Sequence, residues 1–180
     1  MIYVLSGSSG VGKTTIEKEL RKEYDFKRPK SYTTRPKRDD SNEYIYVDEE
    51  KFKELIRDKG VLEYTQYAGN YYGTSLFEIE SILRSGGDIV LVLDINGGYA
   101  IKRRYPKLTK LIYILAPNKE TLKDRLIKRG TESANKIEER LSLYDSELKG
   151  SKDYDFFVTN YKLSETIEQV KDIINADRKD

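Results

Sequence analysis

The chain has neither cysteine nor histidine among its 180 residues. The first absence excludes disulfides, thiolate metal sites and a cysteine nucleophile. The second removes the commonest general base and the commonest zinc ligand together. No stretch reaches the ~20 consecutive apolar residues that span a bilayer, so a membrane partner is not expected. Charge of one sign is also scarce. The 33 basic residues face 31 acidic ones, a net +2, and that balance gives no reason to expect a nucleic-acid surface. The chain runs directly into apolar Ile2–Leu5 with no basic leader or cleavage site, which makes the cytoplasm the expected location. What remains for chemistry is carboxylates, lysine, arginine, hydroxyls and backbone amides. Phosphoryl transfer runs well on that set, because it needs positioning and charge neutralisation more than proton abstraction.

A chain of this length favours one domain with small insertions. Ile2–Leu5 reads as a buried strand, and Lys13–Tyr24 as a helix with Ile16 and Leu20 on one face. Lys27–Arg38 is a basic strand and loop carrying Pro29 and Pro36. Tyr44–Val47 alternates like a half-buried strand, and Glu50–Arg57 has the helical spacing Phe52, Leu55, Ile56. Val61–Tyr72 reads as a hairpin turning at Ala68-Gly69-Asn70, and Ser75–Arg84 as a helix closed by Gly86-Gly87. Ile89–Leu93, ending at Asp94, and Leu111–Leu115, stopped by Pro117, are continuous apolar runs, the pattern of strands covered on both faces. Asn118 suits the N-cap of a helix to about Lys128. Ile137–Leu148 is a further helix, Phe156–Val158 a last strand, and Ser164 the expected cap of the final helix. Strands alternating with helices predict an α/β fold with a mainly parallel sheet flanked by helices. Tyr32–Thr74, hairpin-like and rich in tyrosine, departs from that pattern as an inserted lobe would.

Gly7-Ser8-Ser9-Gly10-Val11-Gly12-Lys13-Thr14 fits G-x-x-x-x-G-K-[ST] and lies between a strand and an amphipathic helix, the setting of a P-loop. The glycines let successive N–H groups converge on phosphate oxygens, and the helix N-terminus adds positive potential. Lys13 can reach the β- and γ-phosphates, and the Thr14 hydroxyl can ligate Mg²⁺. Asp94, at the end of an apolar strand, is either a turn residue or an acid near the phosphates that holds the metal's water shell or touches the acceptor. Ser31–Arg38 holds hydroxyls with Arg35 and Arg38, whose guanidinium forks can grip a phosphate; a solvated basic loop would look the same. Glu63, Tyr72 and Thr74 are individually ordinary. Arg125 and Arg129 share a helix face, and Arg140 lies beyond the loop Gly130–Asn135. Such arginines can neutralise a transferring phosphoryl group from a flap, or form a solvated, salt-bridged helix pair.

Taken in order, these motifs resemble the guanylate kinase family along essentially the whole chain. The P-loop is followed by S-x-T-T-R with a second arginine three on, Tyr44 before a strand, L-E-Y, G-N-Y-Y-G-T, a strand ending L-D-I, R-L-x-x-R-G-T at Arg125–Thr131, the Arg140 helix, and Y-D-x-x-x-x-N at Tyr154–Asn160. The resemblance implies a core (residues 1–31, 75–125 and 140–180), a GMP-binding lobe (32–74) and a lid (126–139). It implies that Ser8–Thr15 and Asn160 bind ATP with Mg²⁺, which is held mainly by the nucleotide phosphates and touched by Thr14 and Asp94. Ser31, Arg35, Arg38, Tyr44 and Tyr72 would hold the acceptor's phosphate, and Glu63 and Thr74 would read guanine, with Asp94 and Asn96 as further acceptor contacts. Lys13, Arg125, Arg129 and Arg140 would be the catalytic cations. The implied reaction is transfer of the γ-phosphoryl of ATP to GMP or dGMP by a monomer or weak homodimer.

Three features depart from the family pattern. Asp39–Tyr44 is shorter and lacks a Gly-Glu pair, Asn96 stands where a second aspartate is common, and Asn96-Gly97-Gly98 replaces a bulkier segment. All three touch the acceptor side. A P-loop kinase for another phosphorylated acceptor is therefore the first alternative, and a non-catalytic protein-binding module of the same family the second. The complete phosphate loop argues against the module.

Overall fold

The computed structural model describes residues 1–37, 44–67, 69–130 and 133–178. In chain order the elements are β1 (Ile2–Ser6), α1 (Lys13–Glu23), β2 (Ser31–Thr33), β3 (Tyr44–Tyr46), α2 (Glu49–Arg57), β4 (Val61–Tyr67), β5 (Asn70–Ser75) and α3 (Leu76–Arg84). They continue with β6 (Ile89–Val92), α4 (Ile95–Arg104), β7 (Thr109–Leu115), α5 (Lys119–Arg129), α6 (Ala134–Gly150), β8 (Phe156–Thr159) and α7 (Leu163–Asp177). The chain divides into two compact units: residues 26–89 with Met1, and residues 2–25 with 90–180.

The larger unit is built on a four-stranded sheet in the order β6-β1-β7-β8. β1 pairs in parallel with β7, and β7 with β8. Ile2, Tyr3, Val4, Leu5, Leu111, Ile112 and Ile114 are buried, as the unbroken apolar runs require of strands sandwiched between helix layers. Ile16 and Leu20 of α1, Leu122 and Leu126 of α5, and Val170 and Ile174 of α7 complete this core.

Between β6 and β7 the chain forms α4, an element the sequence reading passed over because Gly97 and Gly98 lower helix propensity. Two observations explain it. The Asp94 carboxylate caps the helix by accepting from Gly97 N–H at 2.7 Å. A Cβ on Gly98 would lie 2.3 Å from Tyr154 Oη, so close packing of the Tyr154 phenol selects glycine there. Asn118 caps α5 as expected, accepting from Thr121 N–H at 2.8 Å. The last helix begins at Leu163 with Lys162 as N-cap. That corrects the assignment of the cap to Ser164, and the local signal is the Thr166 hydroxyl donating to Lys162 O at 3.1 Å.

The smaller unit carries a mixed sheet in the order β3-β2-β5-β4. β2 runs parallel to β3 and antiparallel to β5, and β4 with β5 forms the expected hairpin. Phe52 of α2, fully buried, stacks on Tyr71 with ring centroids 5.2 Å apart. Asp48 and Ser75 cap α2 and α3 through Lys51 N–H and Glu78 N–H.

Candidate active site

In the larger unit, residues 7–14 link β1 to α1 as a loop whose shape depends on glycine. Gly7 has φ 140°, and a Cβ there would lie 2.2 Å from Ile114 O. The loop closes on its own lysine: Lys13 Nζ donates to Gly7 O at 2.5 Å and Ser8 O at 2.8 Å. Burial is the main influence on that ammonium and lowers its pKa from 10.5 to about 8; Glu147 opposes the shift, while Arg140 and Arg129 add to it. Two expected catalytic arginines, on α6 and α5, thus bear electrostatically on the same nitrogen. Arg129 also lines a cavity of about 380 Å³ together with Ser9, Gly10, Gly12, Lys13, Thr14 and Thr15. Such a pocket, with backbone N–H groups, a helix N-terminus and two cations, suits a polyphosphate.

Asn160 and Arg125 sit beneath the loop. The Asn160 amide donates to Val11 O at 2.8 Å, and its Oδ1 accepts from the Thr166 hydroxyl at 3.0 Å. Arg125 Nη2 donates to Asn160 O at 2.8 Å, while Arg125 Nη1 is buried with no hydrogen-bond partner. Asn160 therefore braces the loop's backbone from a 4% exposed position, and Arg125 fixes the segment that carries Asn160.

Asp94 and Asn96 line a second cavity of about 320 Å³ with Gly7, Ile95, Ser146, Glu147 and Gly150. One Asp94 oxygen is engaged as the α4 cap. Among the described residues no group of three or more acidic side chains could hold a metal ion. The oxygens suited to Mg²⁺ are those of Thr14 and Asp94, both exposed, and they fit a cation carried mainly by the phosphates of its nucleotide.

Glu147, which the sequence reading did not single out, belongs here. It accepts from the Ser8 hydroxyl at 2.5 Å, and its charge, after burial, helps push the Tyr113 phenol up to about 12. Its spacing, seven residues beyond Arg140 and so on the same helical face, was the available signal.

In the smaller unit the strand register assembles most of the expected acceptor residues. Ser31 pairs with Tyr44 on one side and Thr74 on the other, and Thr33 pairs with Tyr72. Paired residues project to one face, so Ser31, Tyr44, Tyr72 and Thr74 share it. The Arg35 guanidinium lies 5.5 Å from the Tyr44 ring centroid, and the Tyr44 and Tyr72 rings meet edge to face at 6.1 Å. Glu63, beside an irregularity in the β4–β5 register, accepts from the Thr74 hydroxyl at 2.6 Å and from its N–H at 3.3 Å. The two residues expected to read a base are therefore in contact. Arg38 and most of the shortened Asp39–Tyr44 segment lie outside the described residues.

Comparison with known proteins bears on the family and the fold. The guanylate kinase family model matches residues 1–177. A guanylate kinase from Prochlorococcus marinus is 38% identical over 97% of this chain and 97% of its own. Those from Oceanobacillus iheyensis and Clostridioides difficile are 36% and 38% identical, covering 98% and 99% of this chain and 87% and 88% of the relatives. The crystal structure of guanylate kinase from Anaplasma phagocytophilum superposes with a TM-score of 0.72 at 25% identity, over 98% of this chain and 85% of that one. The chain belongs to the guanylate kinase family.

Proposed function

We infer that this chain is an ATP-dependent nucleoside monophosphate kinase that transfers the γ-phosphoryl group of ATP to GMP, giving ADP and GDP. Family membership over nearly the full length supports the reaction class. The observation that carries the acceptor is the Glu63–Thr74 pair at 2.6 Å, in the sheet that also aligns Ser31, Tyr44 and Tyr72. Guanine presents N1–H and a 2-amino group, two donors that a carboxylate accepts. An adenine presents no such donors there and would leave the acid unpaired, a cost of ~1–3 kcal/mol.

In this reading the backbone N–H groups of Ser8–Thr15 cradle the ATP phosphates, and Lys13 exchanges its two loop carbonyls for phosphate oxygens. Mg²⁺, when bound to the triphosphate with Thr14 and Asp94 nearby, supplies further charge neutralisation. Arg129 and Arg140 meet the charge of the transferring group, while Arg125 and Asn160 hold the loop in shape. Ser31, Arg35, Arg38, Tyr44 and Tyr72 fix the GMP phosphate, with Asp94 and Asn96 as further acceptor contacts. That phosphate is itself the nucleophile: one of its oxygens forms the new P–O bond as the bond to ADP breaks. It is already ionised, so the absence of histidine is no obstacle. Residues 32–74 act as the acceptor lobe and 126–139 as the lid of a cytoplasmic monomer or weak homodimer, with ATP and GMP as its partners.

A coupled ADP-release assay with ATP, Mg²⁺ and a panel of monophosphates tests the reading. GMP should turn over best. Turnover with another acceptor and none with GMP would overturn the acceptor, and no turnover with any would overturn the enzyme assignment.

A further inference from the structure

Helix α6 makes a short side-chain contact to the phosphate loop. Glu147 Oε2 accepts from the Ser8 hydroxyl at 2.5 Å, and the carbonyl of the same Ser8 accepts from Lys13 at 2.8 Å. One loop residue is therefore held from both sides, by the acid through its side chain and by the lysine through its backbone. Glu147 also stands between the two cavities' elements: it lines the pocket that contains Gly7, Asp94 and Asn96, and its charge acts on Lys13 at the edge of the other.

The placement along α6 gives this contact a consequence. Seven residues make nearly two full turns, so Arg140 lies about 10 Å along the same face from Glu147. The far end of α6 is anchored by Tyr99 donating to Gly150 O at 2.8 Å. Its lid-proximal half buries only Ile137, and beyond that residue it is joined to α5 by exposed ion pairs, Lys123–Glu138 and Lys119–Asp145. Exposed pairs of this kind contribute little. One turn from Arg140, the Tyr144 hydroxyl donates to Ala116 O at 3.4 Å, and the bond to Ser8 is the contact that joins this face of α6 directly to the phosphate loop.

We propose that Glu147 is a positioning residue that ties α6 to the phosphate loop through Ser8 and thereby registers Arg140 against the bound polyphosphate. The proposal rests on the phosphoryl-transfer reading above. Its acid does not touch the reacting atoms; it acts through the Ser8 hydroxyl, and an amide oxygen can accept the same bond.

A double-mutant cycle on the full chain tests it, using wild type, S8A, E147A and S8A/E147A with E147Q as the conservative variant. The readouts are kcat and KM for ATP and GMP, and ATP affinity by equilibrium titration without acceptor. E147A and S8A should each lower kcat at least tenfold with GMP KM changed less than threefold. The double variant should be no worse than the poorer single, and E147Q should stay within threefold of wild type. Multiplying losses in the cycle, or E147Q as impaired as E147A, would overturn the proposal. If E147A does not fold, S8A and E147Q carry the test by the same criteria. The ATP titration should show the same non-additivity whether or not GMP is the acceptor, so failure of the acceptor assignment is read separately from failure of the Ser8–Glu147 link.

Discussion

Replacing Lys13 by Met should abolish catalysis and at the same time make the ligand-free protein more stable at neutral pH. The ammonium is held largely buried against its own loop, and burial lowers its pKa from 10.5 to about 8. At 1.36 kcal/mol per pH unit, that shift sets a ceiling of roughly 3 kcal/mol on the destabilisation. Losing the bonds to Gly7 O and Ser8 O offsets part of the gain, at about 1 kcal/mol per bond, and leaves about 1–2 kcal/mol. For a chain of this size that is a rise of roughly 2–8 °C in melting temperature. The sign with pH follows from linkage. Below pH 8 folded and unfolded chains both carry the proton, and wild type bears the full penalty. Between 8 and 10.5 the folded chain gives up a proton that the unfolded chain keeps, so wild type gains on the variant and the gap closes. Thermal melts of both proteins without nucleotide at pH 7 and pH 10 measure this. A Lys13→Met protein that melts at or below wild type at pH 7, or a gap unchanged at pH 10, would refute the reasoning. Adding ATP should raise the wild-type melting temperature and leave the variant's nearly unchanged.

Gly98→Ala should destabilise by about 1–3 kcal/mol in urea titration, because its Cβ would meet Tyr154 Oη at 2.3 Å. Helix propensity alone predicts a gain of about 1 kcal/mol, so the sign decides between packing and propensity, and adding Tyr154→Phe should restore part of the loss. Tyr46→Phe should leave the melting temperature unchanged or raise it, since the buried Tyr46 hydroxyl has no partner and releasing it relieves about 1 kcal/mol; a fall of several degrees would contradict this. Glu63→Gln should cut kcat/KM for GMP at least tenfold relative to other monophosphates, because an amide turns a donor toward guanine's donors; an equal loss for every acceptor would indicate a folding role instead.

The elements that announce themselves locally were legible in the sequence. The apolar run Ile2–Leu5, the glycine-lysine loop and the turn at Gly69-Asn70 each carry their own physical reason, and β1, the loop and the β4–β5 hairpin stand where expected. Helix α4 was not legible, because Gly97 and Gly98 argue against a helix unless Tyr154 is known to lie against it. In the acceptor half, the sequence named Ser31, Tyr44, Tyr72 and Thr74, but only strand register could put them on one face. Asn160 could be marked as part of a motif, yet its work under the loop depends on Val11 and Thr166 being folded around it. Glu147 on a mostly exposed helix looks like any solvated acid until its distance to Ser8 is measured.

The bond from Asn160 to Val11 O closes over 149 residues, and this has a consequence for the order in which the protein matures on the ribosome. The phosphate loop is translated well before the side chain that braces it, since Asn160 follows Val11 by 149 residues. The flanking strand β1 likewise waits for β6 and β7. A nascent chain therefore carries the loop's glycines and lysine over that whole interval without the scaffold that shapes them. Nucleotide can favour a braced loop only once residues 160–166 have emerged, so binding follows that step of folding and does not guide the earlier ones.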